Sequence, residues 1–170
     1  MSATEARTLI LTSTQVRQKV ERIAHEINEN RYTESHIVLV GIANRGYLLA
    51  QQLHTILSAI ADFDVTLAKL TLDKDNPLDH AFQLDIAEAE LDGKLVLLVD
   101  DVLNTGKALI YGAHHLIRRP VKMLQTVILV NRRHRKYPIR ADYVGLTLAT
   151  TMKEHIQVEF VDGEAQVFLR

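Results

Sequence analysis

The stretch VLLVDDVLNTGKAL, Val96 to Leu109, reads as a buried strand, a turn and the start of a helix. The strand ends in two adjacent carboxylates, Asp100 and Asp101, and the turn Val102-Leu103-Asn104-Thr105-Gly106 opens the helix at Lys107. Open α/β sheets bind ligands beyond the carboxyl ends of their strands. A helix N-terminus offers unpaired amides and the positive end of a dipole, which suit a phosphate. Gly106 lets backbone approach a ligand closely, and Thr105 adds a hydroxyl donor. Two carboxylates just upstream can accept hydrogen bonds from a sugar diol or face a hydrated magnesium ion. Diol acceptors and an anion cradle a few residues apart describe a ribose 5-phosphate site. The plainer alternative is a turn whose aspartates only cap the helix; Thr-Gly at this spacing, with a helix behind it, favours the site.

Outward from this segment, strands and helices alternate. Upstream, Ser13 or Thr14 is a suitable cap for a helix over about Gln15 to Asn30, with Val16, Val20, Ile23, Ala24 and Ile27 at helical spacing. HIVLVGI (His36 to Ile42) reads as a buried strand, Tyr47 to Ile60 as a helix and Asp64 to Leu72 as a strand. Asp73 to Gly93 is irregular. Downstream, the periodicity predicts a helix over Lys107 to Arg118, stopped near Pro120, and a strand over Leu124 to Val130. Shorter strands follow at Tyr143 to Leu148, Gln157 to Val161 and Gln166 to Leu169. Strands apolar on both faces, alternating with helices, imply an α/β fold with a mostly parallel sheet flanked by helices.

The 170 residues, 47% of them hydrophobic, suit one domain spanning 1–170. The net charge of -1 provides no bulk attraction for nucleic acid or an anionic membrane. The absence of cysteine excludes disulfides and thiolate metal sites. The N-terminal stretch lacks a signal-peptide core, and no apolar run approaches the roughly 20 residues of a membrane span, which makes the cytoplasm the default location. His25-Glu26 has no second histidine at helical spacing, and the eight histidines form no metal-ligand pattern. The glycine signatures of P-loop and dinucleotide-binding proteins do not occur. A receiver domain also ends a strand in Val-Asp-Asp, but near its N-terminus. It further needs a phosphoacceptor aspartate closing a later apolar strand, whereas Asp142 precedes one.

Four segments in order, RIAHEI (Arg22 to Ile27), VGIANRG (Val40 to Gly46), VDDVLNTG (Val99 to Gly106) and YPIRADYVG (Tyr137 to Gly145), resemble the PyrR-type uracil phosphoribosyltransferases. The likeness runs from about residue 9 to 161. It implies the type I phosphoribosyltransferase fold with a small hood region, and transfer of ribose 5-phosphate from phosphoribosyl pyrophosphate to uracil or a related base with Mg2+. By resemblance, Asp100 and Asp101 hold the ribose hydroxyls, Leu103, Asn104, Thr105, Gly106, Lys107 and Ala108 wrap the 5-phosphate, and Val102 joins them in binding phosphoribosyl pyrophosphate. Ala43, Asn44, Arg45 and Gly46 form the pyrophosphate loop, with Arg45 helping the leaving group. Val130, Asn131, Arg132 and the segment Thr150 to Ile156 border the base. The metal has no direct protein ligand; it arrives with the substrate, near Asp100 and Asp101. A homodimer or higher oligomer is implied.

Three features depart from the PyrR pattern. Ala108 stands where a second threonine usually closes the phosphate loop, and Asn131-Arg132-Arg133 replaces Asp-Arg-Gly. The covering loop, TLDKDNPLDHAF (Thr71 to Phe82), is short and lacks arginine. Lys74 or His80 either substitutes for it or is a solvated loop residue. Basic residues cluster over Arg132 to Arg140 and in the first helix at Arg17, Lys19, Arg22, His25 and Arg31. The resemblance implies an RNA-binding surface there, contacting phosphates through Arg and Lys; the alternative is a solvated basic face. A non-catalytic, RNA-binding regulator that senses pyrimidine nucleotides is therefore the second functional reading.

Overall fold

Alternating side chains on the central strands decide the layers. In the computed structural model, which describes residues 6–151 and 153–170, β2 (His36–Ile42) and β5 (Leu95–Leu103) are buried on both faces. Ile37, Leu39, Leu95, Leu97 and Val99 face one way, packing against α1 (Ser13–Arg31) and α2 (Arg45–Ile60). Val38, Val40, Ile42, Val96 and Leu98 face the other way, towards Leu109, Ala113 and Leu116 of α3 (Lys107–Leu116). A period of two on the strands thus yields two hydrophobic layers around one sheet.

β1 (Thr8–Leu11) precedes α1. The remaining strands are β3 (Asp64–Thr71), β4 (Gln83–Leu84), β6 (Met123–Arg132), β7 (Tyr143–Leu148), β8 (Ile156–Val161) and β9 (Glu164–Leu169). Among the described residues the main sheet has the order β4-β3-β2-β5-β6-β7, parallel except for the antiparallel pair β3–β4. A second, antiparallel sheet, β1-β9-β8, forms the hood. Its Leu11, Val158, Ala165 and Val167 share the hydrophobic cluster of α1 and α2. The β8–β9 hairpin turns at Asp162 and Gly163, both at positive φ (51° and 78°), a geometry that matches strand twist and favours Asp-Gly. No helix among the described residues is long and apolar enough to cross a membrane.

Several boundaries move for identifiable reasons. The cap of α1 is Thr12 and not Ser13 or Thr14. Its hydroxyl accepts from the Gln15 amide at 3.2 Å, and the Gln15 side chain accepts from the Thr12 amide at 2.9 Å, a complete capping box. The helix predicted to reach Arg118 ends at Leu116, where Ile117 caps it and the Arg119 amide turns back to the Leu116 carbonyl. β5 runs two residues past its aspartates and β6 two past Val130, because the two strands stay paired to Leu103↔Asn131. On its other side β5 loses its partner after Val99, which pairs with Gly41. Asp100 and Asp101 therefore stand at the carboxyl edge of the sheet, supported from one side only.

Candidate active site

Two glycines let α2 press onto that edge. A Cβ on Gly41 would lie 2.5 Å from the Tyr47 Cα, and one on Gly46 would lie 2.7 Å from the Val99 carbonyl oxygen and 2.8 Å from Asp100 Oδ1. Real Cβ contacts are not that short, so only glycine allows the N-terminus of α2 to meet the aspartates. Arg45, the first residue of α2, consequently faces the same cleft as Asp100 and Asp101. The Ala43–Asn44 peptide ahead of it is cis.

Across the cleft, Gly106 takes φ +89° to turn the chain into α3. The turn is braced from behind. The Thr105 carbonyl accepts from the amides of Lys136 (2.9 Å) and Tyr137 (3.0 Å), and Ile139 packs so closely that a Cβ on Gly106 would lie 2.7 Å from it. The first-turn amides of α3 have no acceptors within the helix. The result is a cleft of about 460 Å3 lined by Arg45, Lys74, Asp75, the whole run Asp100 to Leu109, and Ile156.

Asp100 and Asp101 are 3% and 6% exposed. Burial, reinforced by the neighbouring Asp101 charge, pushes the Asp100 carboxyl up to about 7, although Lys74 works against the rise. The Lys74 ammonium lies 2.9 and 3.1 Å from the two Asp100 oxygens and 3.9 Å from Asp101 Oδ1. Burial alone lowers its pKa, and the two carboxylates more than offset that, raising it above the usual lysine value. Asp100 Oδ1 also accepts from the Asp101 amide at 2.9 Å, so both oxygens of this carboxylate are engaged.

The structure gathers Arg45, Asp100, Asp101, Val102, Leu103, Asn104, Thr105, Gly106, Lys107, Ala108 and Ile156 around one cleft. Ala43, Asn44 and Gly46 do not line it; they set the approach of α2, with the Ala43 amide bonded to the Leu70 carbonyl at 2.9 Å. Val130, Asn131 and Arg132, expected to border the base, are likewise outside the lining, because β6 continues through all three. Val130 is fully buried in the core, and the Asn131 side chain accepts from Arg135 at 2.9 Å. Arg132, 5% exposed, donates to the Thr150 hydroxyl and the Thr151 carbonyl, and so ties the main sheet to the approach to the hood. Of the segment Thr150 to Ile156, Ile156 reaches the cleft, and Met152 lies outside the described residues.

Lys74 and Asp75 also line the cleft, which their sequence neighbours do not reveal. The usable signal is position: they lie just beyond the end of β3, after Leu72 and Asp73, at the same carboxyl edge as the aspartates. His80 stays at the surface, 71% exposed and 3.6 Å from Asp73. Arg22 has a structural role as well. Its guanidinium donates to the carbonyls of Val144 (3.0 Å) and Gly145 (2.9 Å) and pairs with Glu26, so it clamps α1 to β7 while its side chain stays 46% exposed. In the basic loop, Arg133, Arg135, Lys136 and Arg140 are exposed.

Comparison with known proteins agrees with this geometry. The sequence profile of the phosphoribosyl transferase domain matches residues 7–162. The Bifunctional protein PyrR of Fusobacterium nucleatum is 36% identical, covering 95% of this chain and 96% of the relative. That of Deinococcus deserti is 41% identical, covering 99% and 96%. Among solved structures, the hypoxanthine phosphoribosyltransferase of Trypanosoma cruzi superposes with a TM-score of 0.76 at 20% identity, over 94% of this chain and 95% of the other. A hypoxanthine-guanine phosphoribosyltransferase of Bacillus anthracis gives 0.69 at 21%, over 84% and 82%. At such identities the superpositions speak for the fold alone. Fold, cleft and full-length sequence likeness converge: the chain belongs to the phosphoribosyltransferase family, within it to the PyrR group.

Proposed function

We propose that the protein transfers ribose 5-phosphate from phosphoribosyl pyrophosphate to uracil, with magnesium brought in by the substrate. The observation that carries this reading is the meeting of three charge types in one cleft: buried carboxylates for a diol, a helix-start cradle for a phosphate, and Arg45 opposite for pyrophosphate. The ring nitrogen of the base forms the new bond to the anomeric carbon as the carbon–oxygen bond to pyrophosphate breaks. Pyrophosphate leaves with the electron pair, and the nitrogen's proton passes to solvent. Catalysis here is positioning and electrostatic stabilisation. Asp100 and Asp101 orient the ribose, the Leu103 to Ala108 turn anchors its 5-phosphate, and Arg45 stabilises the departing charge.

The donor set suits a transient metal and not a resident one. It holds two adjacent carboxylates, and magnesium typically takes one or two carboxylates from protein while substrate phosphates and water supply the rest. A magnesium ion facing Asp100 and Asp101 would neutralise part of the pyrophosphate charge.

Uracil is favoured over purines by the PyrR relatives, which match nearly the whole chain, whereas the purine enzymes share the fold at about one-fifth identity. Pyrophosphate release, measured with each nucleobase in turn, tests the proposal. Uracil should react fastest, and a faster reaction with hypoxanthine or guanine overturns the choice of base. Asp100→Asn combined with Asp101→Asn should abolish turnover and leave a folded protein; near-normal turnover would remove the diol-binding role.

A second reading, an RNA-binding sensor of pyrimidine nucleotides, is favoured by one observation. The exposed basic loop Arg133 to Arg140 is hydrogen-bonded to the phosphate turn itself, through Lys136 and Tyr137 to Thr105. A phosphate in the cradle would therefore sit against the turn that carries the basic loop.

A further inference from the structure

The segment between β3 and β4 is tied across the mouth of the cleft by two lysines from opposite sides. Lys74, on the segment, reaches inward to Asp100. Lys107, on α3, reaches outward and donates to the Asp75 carbonyl at 2.6 Å. The first tie occupies the two carboxylate oxygens that a ribose diol needs. Two adjacent carboxylates this deeply buried require a compensating cation, because an unpaired buried charge is strongly unfavourable. Lys74 supplies it from a side chain 39% exposed, whereas that of Asp100 is 4% exposed. The partner able to move is therefore the lysine.

We infer that Lys74 is an internal counter-ion that holds the place of the substrate's diol and divalent cation, and that substrate binding begins by displacing it. The inference rests on reading Asp100 and Asp101 as the diol pair. A divalent ion arriving with the diol replaces one positive charge by two and restores the oxygen contacts, so the carboxylates remain compensated throughout. The ammonium, once released, stays on a short segment whose other tie is to a neutral carbonyl, and the mouth of the cleft opens with it.

Manganese uptake by the substrate-free protein, measured by electron paramagnetic resonance of the unbound ion, tests this without any turnover. Removing Lys74 also removes the positive charge that holds the Asp100 carboxyl down, so uptake by all the proteins is compared over a series of alkaline pH values. Lys74→Met, which leaves the pair uncompensated, should then bind Mn2+ at least about tenfold more tightly than the wild type. Lys74→Arg should behave like the wild type, and adding Asp100→Asn to Lys74→Met should cancel the gain. Lys74→Gln serves if the Met variant is unstable. Failure of Lys74→Met and Lys74→Gln to bind Mn2+ more tightly overturns the counter-ion role. Calorimetric titration of the wild type with the magnesium complex of phosphoribosyl pyrophosphate separates the two claims. No binding there removes the site reading itself, whereas binding without tighter Mn2+ uptake in the variants removes only the role of Lys74.

Discussion

Ala108 lies on the first turn of α3 and lines the cleft, where a hydroxyl would face a phosphate held by the cradle. A hydrogen bond to a charged group contributes about 1.5–3 kcal/mol, and replacement by water leaves the lower half as the expectation. Ala108→Thr should therefore tighten binding of the magnesium complex of phosphoribosyl pyrophosphate by roughly tenfold in a calorimetric titration. Unchanged or weaker binding would mean that residue 108 points away from the phosphate. At this scale the sequence is readable where the site is contiguous. Asp100 to Ala108 form one uninterrupted run, and strand, turn and helix periodicity place each residue within it. It is not readable where partners meet only through space. Lys74 lies far from Asp100 in the chain, and nothing in its neighbours distinguishes it from a solvated loop lysine. Arg22 is a second case: it is an exposed basic residue on a helix, and nothing near it in the chain shows that it also donates to carbonyls of a strand more than a hundred residues away.

The contact of α2 with β5 is the element-level feature on which the site depends. Gly46→Ala would put a methyl group 2.7 Å from the Val99 carbonyl and 2.8 Å from Asp100 Oδ1, neither of which can retreat from a buried strand end. Overpacking of this kind typically costs about 1–3 kcal/mol. The variant should melt several degrees lower, and it should lose affinity for phosphoribosyl pyrophosphate by more than its lost stability explains, since Arg45 moves with the helix. A melting temperature and an affinity both within error of the wild type would show that α2 has slack there. β2 and β7 were legible to the residue because each is bounded by a turn. The ends of β5 and β6 were not, since their last residues are held by mutual pairing and not by their own composition. The apolar run at Leu9 to Leu11 gave no sign of its strand partner, because β9 is distant in sequence. The α1 cap was one residue off, because Thr12, Ser13 and Thr14 are all competent and only the Gln15 side chain selects among them.

Across the whole molecule, hood, α1, α2 and sheet share one hydrophobic cluster, so they are expected to unfold together. Arg22, bridging α1 to β7, should behave as part of that unit. Arg22→Ala strands two carbonyls and should lower stability by about 1–2 kcal/mol, several degrees in melting temperature. Arg133→Ala with Lys136→Ala, both exposed, should leave melting nearly unchanged and instead reduce the salt-sensitive part of any binding to pyrimidine-leader RNA. Equal loss of stability in the two variants would contradict this division of roles. The hood itself is woven from distant parts of the chain, β1 lying against β9 with Thr8 opposite Leu169. Because β1 and β9 come from opposite ends of the described chain, the hood can close over α1 and α2 only after both have been made. Ile156, the hood's contribution to the cleft, is fixed only when β9 has left the ribosome.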